Sequence, residues 1–154
     1  MQIEINIQRV INDIRGKSHL ELANIADATA RYKMEAGTEK MGEIKRDLES
    51  AVSTVQDECF RFISNAAMDI ATDEISADSE IVFTFVGGAR RFDGKENAIA
   101  NKIHEILVDL TLQKYYLSVS AGDLSKAHEK QAEKELAELN KMLRQKGVPK
   151  LVEP

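Results

Sequence analysis

The chain has 154 residues and a net charge of -5, with 21 Lys and Arg against 26 Asp and Glu; 43% of it is hydrophobic and 31% charged. That balance is too apolar for a disordered chain, and its charges are too evenly spread for a membrane protein, so a single soluble domain spanning 1–154 is expected. One cysteine, Cys59, excludes an intrachain disulfide framework and any zinc cluster built on several cysteines.

The first proline of the chain is Pro149, and Ala, Glu, Lys and Leu are abundant, so helices are expected to dominate. MQIEINIQRV lacks the basic and apolar regions of a secretion signal, so no export is expected. Ile3, Ile5 and Ile7 alternate as in a strand, while Ile7, Val10, Ile11 and Ile14 have helical spacing; the reading adopted is a short extended lead into a helix from about Ile7. Ser18 and Glu21 read as a capping box opening a helix bounded by Gly16 and Gly37. From Met41 to Ile70 apolar residues follow one another in steps of three and four, which predicts one long helix over about 39–71. At ~1.5 Å per residue it would reach about 45 Å, and is expected to protrude or to pack on a second subunit.

The pattern then breaks at DEISADSE. IVFTFV and the short run Ala89 to Phe92, separated by Gly87 and Gly88, predict a small β-hairpin over about 80–92. Residues 96 to 117 predict a central helix covered on more than one face. Ser120 and Asp123 read as a further capping pair before a last helix from about Leu124 to Lys146, whose stripe is Ala132, Leu136, Leu139 and Leu143. Gly147 and Pro149 stop it, leaving an extended tail over 147–154. The fold class expected is mainly α, a bundle of four or five helices with one small β element.

Tests for chemistry assign no catalytic, cofactor-binding or metal-ligating residue. His19, His104 and His128 are far apart and none belongs to a zincin-type pair, so each reads as a surface or boundary histidine. Cys59 lies on an apolar stripe and beside Asp57 and Glu58, which raise a thiol pKa, so it reads as a buried structural thiol. VGGARRFDGKE has five residues between Gly88 and Gly94 where a phosphate-binding loop has four, and Glu96 stands where a hydroxyl would bind magnesium. Asp69, Asp73, Glu74, Asp78 and Glu80 lack calcium-loop spacing. No basic face is interleaved with aromatic residues, so sequence-specific DNA recognition is not expected.

The charge is nevertheless uneven. Residues 51 to 80 hold seven acids and one base, a net of -6, whereas 81 to 120 carry a net of +1 with Arg90, Arg91 and Lys95 close together. This dipolar pattern suits head-to-tail contacts that close into rings. The candidate subunit interface is Arg90, Arg91 and Lys95 against Asp69, Asp73, Glu74, Asp78 and Glu80 of a neighbour. Val148, Leu151 and Val152 make the tail a candidate partner-docking segment.

ILVDLTLQKYYLS, a polar break, and EKELAELNKMLRQKGVPKL together resemble the ending of head-completion adaptor proteins of tailed bacteriophages. The matching positions are Asp109, Leu110, Leu112, Tyr116 and Leu117, then Leu136, Leu139, Leu143, Gly147 and Leu151. The resemblance covers about the last 60 residues, and residues 41 to 95 loosely. It implies a structural, non-enzymatic virion protein assembled in the host cytoplasm. Such a protein is a subunit of a homo-oligomeric ring that binds a portal and a neck or tail protein, with DNA passing through without sequence-specific recognition. The alternative is a cytosolic helical homodimer, a binding or regulatory module with the long helix as its seam.

Overall fold

A computed structural model of the chain describes residues 1–37, 40–68, 79–87, 92 and 94–145. Among the described residues the protein is mainly helical, with five helices and a small antiparallel sheet, as the composition leads one to expect. The lead strand β1 (Gln2–Asn6) alternates, with Ile3 and Ile5 buried and Gln2 and Glu4 exposed. It passes directly into α1 (Ile7–Leu22), whose first amides are capped by Asn6, its side chain accepting from the Arg9 N–H at 3.0 Å.

The helix expected to start at Ser18 does not start there. α1 runs through Gly16, because Ile7, Val10, Ile11, Ile14, Ser18 and Leu22 form one buried stripe that stays in phase across the glycine. A mid-helix glycine costs about 1 kcal/mol, and burying Leu22 returns about 2 kcal/mol. Ser18 is therefore buried mid-helix, where its hydroxyl accepts from the Ala36 N–H at 2.9 Å. A separate short helix, α2 (Ala28–Met34), is capped by Asp27, whose carboxylate accepts from the Thr29 and Ala30 amides.

The long helix is also shorter than expected. α3 (Met41–Glu58) ends after 18 residues, about 27 Å, at Cys59, whose N–H donates to Val55 O. A tight turn at Cys59, accepting from the Phe62 and Ile63 amides, leads into β2 (Ile63–Met68). The reason lies in β3 (Glu80–Phe85), where Ile81, Phe83 and Phe85 are buried on one face. β3 is the central strand of a sheet ordered β1-β3-β2, antiparallel throughout, with Phe83 opposite Ile3 on one side and Ala66 on the other. Helix over 63–68 would strip that second edge of its backbone partners.

Of the expected hairpin over 80–92, the first strand is found as β3, whose edges are paired with β1 and β2. Residues 89–91 lie outside the described residues. Phe92 is in a turn and buried, edge-to-face on Phe85 with ring centroids 5.6 Å apart.

α4 (Glu96–Ser118) is the axis of the molecule: residues 106 to 112 are buried without interruption, so every face is covered. α3 covers one side and α1 and α5 (Gly122–Arg144) the other, with α5 antiparallel to α4. The link between them corrects the second expected capping pair. Ser120 closes α4 in the left-handed region, φ 64°, and the Ala121 N–H returns to Tyr116 O at 2.8 Å, while α5 begins without a side-chain cap. Among the described residues no helix is long and apolar enough to cross a membrane.

Candidate functional site

Where α1, α4 and α5 meet, the core is charged. Asp109 interrupts the apolar run of α4 and is 1% exposed; a buried carboxylate requires compensation. Its Oδ1 accepts from His128 Nδ1 of α5 at 2.8 Å and lies 3.8 Å from Lys17 Nζ of α1. The other ring nitrogen of His128, Nε2, donates to Glu21 of α1 at 2.8 Å, so protonated His128 spans two carboxylates and ties three helices together. The ring also lies against Tyr116, centroids 5.6 Å apart.

Two turns along α5 from His128, Glu135 is 5% exposed, and its Oε1 accepts from Gln131 at 2.9 Å. Its second oxygen, Oε2, and Asp109 Oδ2 are buried and have no hydrogen-bond donor among the described residues. The two carboxyl groups are close enough to hydrogen-bond each other.

Burial works against the charged form of His128, but the hydrogen bonds to Asp109 and Glu21 outweigh it and raise the ring pKa to about 9. Burial works likewise against ionised Asp109. The hydrogen bonds from His128 and Glu135 and the charges of Lys17 and His128 reverse that effect and lower its pKa. Glu135 has no such cation: burial first, then Asp109, push its pKa up to about 7.

The cluster therefore holds protons at neutral pH. A histidine between two carboxylates has the outline of a catalytic base and its orienting acids, but His128 is cationic with both nitrogens engaged. Of the neighbouring hydroxyls, Ser125 Oγ donates to Gln113 O at 2.8 Å and Ser18 Oγ accepts from the Ala36 N–H, while the buried Tyr116 hydroxyl has no hydrogen-bond partner among the described residues. Cys59 is 1% exposed at the end of α3, burial pushing its thiol up to about 11, which is the buried structural thiol expected from its place on the stripe. No group of three or more His, Cys, Asp or Glu among the described residues is arranged to hold a metal ion.

The remaining histidines sit at the surface, each beside an acid: His19 Nδ1 is 2.9 Å from Glu35, and His104 contacts Asp13 in a shallow polar cleft of about 380 Å³ with Arg9, Asn12 and Asn101. A second open cleft, about 440 Å³, mixes Lys33, Lys40 and Arg46 with Glu43 and Asp47, so its charges largely cancel.

Of the interface residues expected from charge, two are described. Lys95 occupies the N-cap position of α4, its Nζ 3.4 Å from Gln145 O, and Glu80 begins β3 opposite Asn6 of β1. Asp69, Asp73, Glu74, Asp78, Arg90 and Arg91, and the tail residues Val148, Leu151 and Val152, lie outside the described residues.

The charged cluster was missed because His128 reads as a boundary residue when taken alone. Two signals point to it. His128 and Glu135 fall on the stripe that continues through Ala132, Leu139 and Leu143, and Asp109 stands inside ILVDLTL, where an unpaired acid is costly. Compared with known proteins, the chain matches no family model, no curated protein and no solved structure.

Proposed function

We propose that the protein is a structural, non-catalytic subunit of a homo-oligomeric ring, a head-completion adaptor that joins a tailed-phage head at its portal to the neck or tail. The observation that carries this reading is the C-terminal helix pair. α4, buried on every face over residues 106 to 112, reverses at Ser120 into α5, which is charged or polar outside one narrow stripe. That is the order of elements on which the resemblance to adaptors rests. Within it Leu110, Leu112, Tyr116, Leu139 and Leu143 are buried as bundle-closing residues, while Leu117 is 67% exposed and free to meet a neighbouring chain. The non-catalytic part of the reading is supported by the engagement of His128 on both ring nitrogens.

The homodimer alternative loses its seam. Ile44, Leu48, Ala51, Val52 and Val55, the stripe of α3 that would have faced a partner helix, are buried within their own chain.

In the proposed ring, Arg90, Arg91 and Lys95 dock on the acidic segment of the adjacent subunit, and the tail with Val148, Leu151 and Val152 engages the portal or the next neck component. Mass measurement in solution, alone and with a tailed-phage portal protein, tests the reading. A ring larger than a tetramer is expected in at least one condition, and reversal of Arg90 and Arg91 to Glu is expected to abolish it. A particle that stops at a dimer in both conditions overturns it.

A further inference from the structure

Five ionisable side chains meet between α1, α4 and α5, with Asp109, His128 and Glu135 buried and Lys17 and Glu21 at the rim, and their charges balance only in one protonation state. Lys17 and protonated His128 contribute two positive charges; Asp109 and Glu21 contribute two negative ones. An ionised Glu135 would be a third anion with no cation of its own. The elements packed around it offer Asp109 and Glu105 from α4 and the neutral amide of Gln131 from α5, while the positive groups Lys17 and His128 are drawn to Asp109. Geometry leads to the same state. Asp109 Oδ2 and Glu135 Oε2 are each buried without a donor, and two facing acceptors repel unless one of them carries a proton.

We propose that Glu135 is a proton-held clasp: as a neutral acid it donates a hydrogen bond from Oε2 to Asp109 Oδ2 and holds the middle of α5 on α4, and loss of that proton releases the clasp. The step is a simple acid dissociation, the proton going to water. The carboxylate left behind lies beside Asp109 in a buried interface, with Glu105, half-exposed and paired to Lys102, at its edge, so the stretch of α5 from His128 to Glu135 must shift to let it reach solvent. The clasp concerns the stability of one chain and is independent of the ring.

The sign follows from linkage. The folded chain keeps the Glu135 proton up to about pH 7, whereas an unfolded glutamate releases it near its ordinary value of 4.5. Between those values the native state binds the extra proton, so stability is fully present below the lower one and is lost as pH rises through the upper one. One proton corresponds to a loss approaching tenfold in the folding equilibrium constant per pH unit inside that window.

Glu135→Gln tests this, since its amide can donate to Asp109 at any pH while still accepting from Gln131. Urea midpoints of wild type and variant are measured from pH 5 to 8, so that contributions common to both cancel. The wild-type midpoint is expected to fall relative to the variant up to about pH 7, leaving the variant the more stable at pH 8. Parallel curves overturn the proposal. If the variant does not fold, carbon-13 titration of the Glu135 carboxyl in the wild-type protein decides: a midpoint close to neutrality supports the clasp, and one in the ordinary carboxylate range near ~4.3 overturns it.

Discussion

The two sides of α4 are built on different physics. Towards α3 and the sheet it meets Leu48, Val55, Ile63, Phe83 and Phe85, an apolar layer in which any side chain of suitable volume satisfies the fold. Towards α1 and α5 its Asp109 is hydrogen-bonded by His128, which also bonds Glu21, with Lys17 3.8 Å away and Glu135 buried nearby, so this side depends on directed contacts between charged groups. The dry side supplies stability that is insensitive to pH. The charged side sets which helices meet and in what register, and its worth depends on solution conditions.

Truncation on the dry side is the largest expected perturbation. Leu48 is fully buried in α3, and Leu48→Ala is expected to cost about 3 kcal/mol. Chemical denaturation at pH 6 and pH 9 is expected to return the same loss; a marked difference would mean that the two sides are coupled.

His128→Ala is expected to cost about 3 kcal/mol at pH 6, because it leaves Asp109 buried and short of a partner. This loss carries a pH signature. The ring pKa is raised from 6.5 to about 9, so the stabilisation by the cation is complete below the lower value and fades as pH rises through the upper one. The gap between wild type and variant is therefore expected to narrow between pH 6.5 and 9, whereas that of Leu48→Ala stays constant. A gap of constant size would show that His128 acts by packing alone.

The smallest effect tests the joint between the two helices that carry the charged side. Ser120 holds φ 64° without being glycine, so Ser120→Gly is expected to stabilise the protein by about 0.5–1 kcal/mol, seen as a rise in Tm. A loss of stability would mean that the serine side chain matters more than the backbone conformation.

Periodicity made several elements legible before any coordinates. The passage from strand to helix at Ile7, the all-round burial of α4 and the stripe of α5 follow from residue spacing, and they are found where expected. It failed where two periods overlap. Cys59, Phe62, Ile63 and Ala66 continue the three-and-four rhythm of α3, yet Ile63 to Met68 is strand. The capping pairs at Ser18 and Ser120 failed for a related reason: a local motif does not reveal whether its serine will be mid-helix against Ala36 or left-handed at the end of α4.

By itself, then, the amino-acid order determined the fold class and the faces that had to be buried, because apolar burial is non-directional and leaves its mark as spacing along the chain. Tertiary structure decided where α3 stops, since the free edge of β3 needed a partner that only a distant segment could supply. It also decided that Lys17, Glu21, Asp109, His128 and Glu135 form one electrostatic unit. Their positions in the chain are spread over more than a hundred residues, and charge balance in a dry core is a property of the assembled site rather than of any segment.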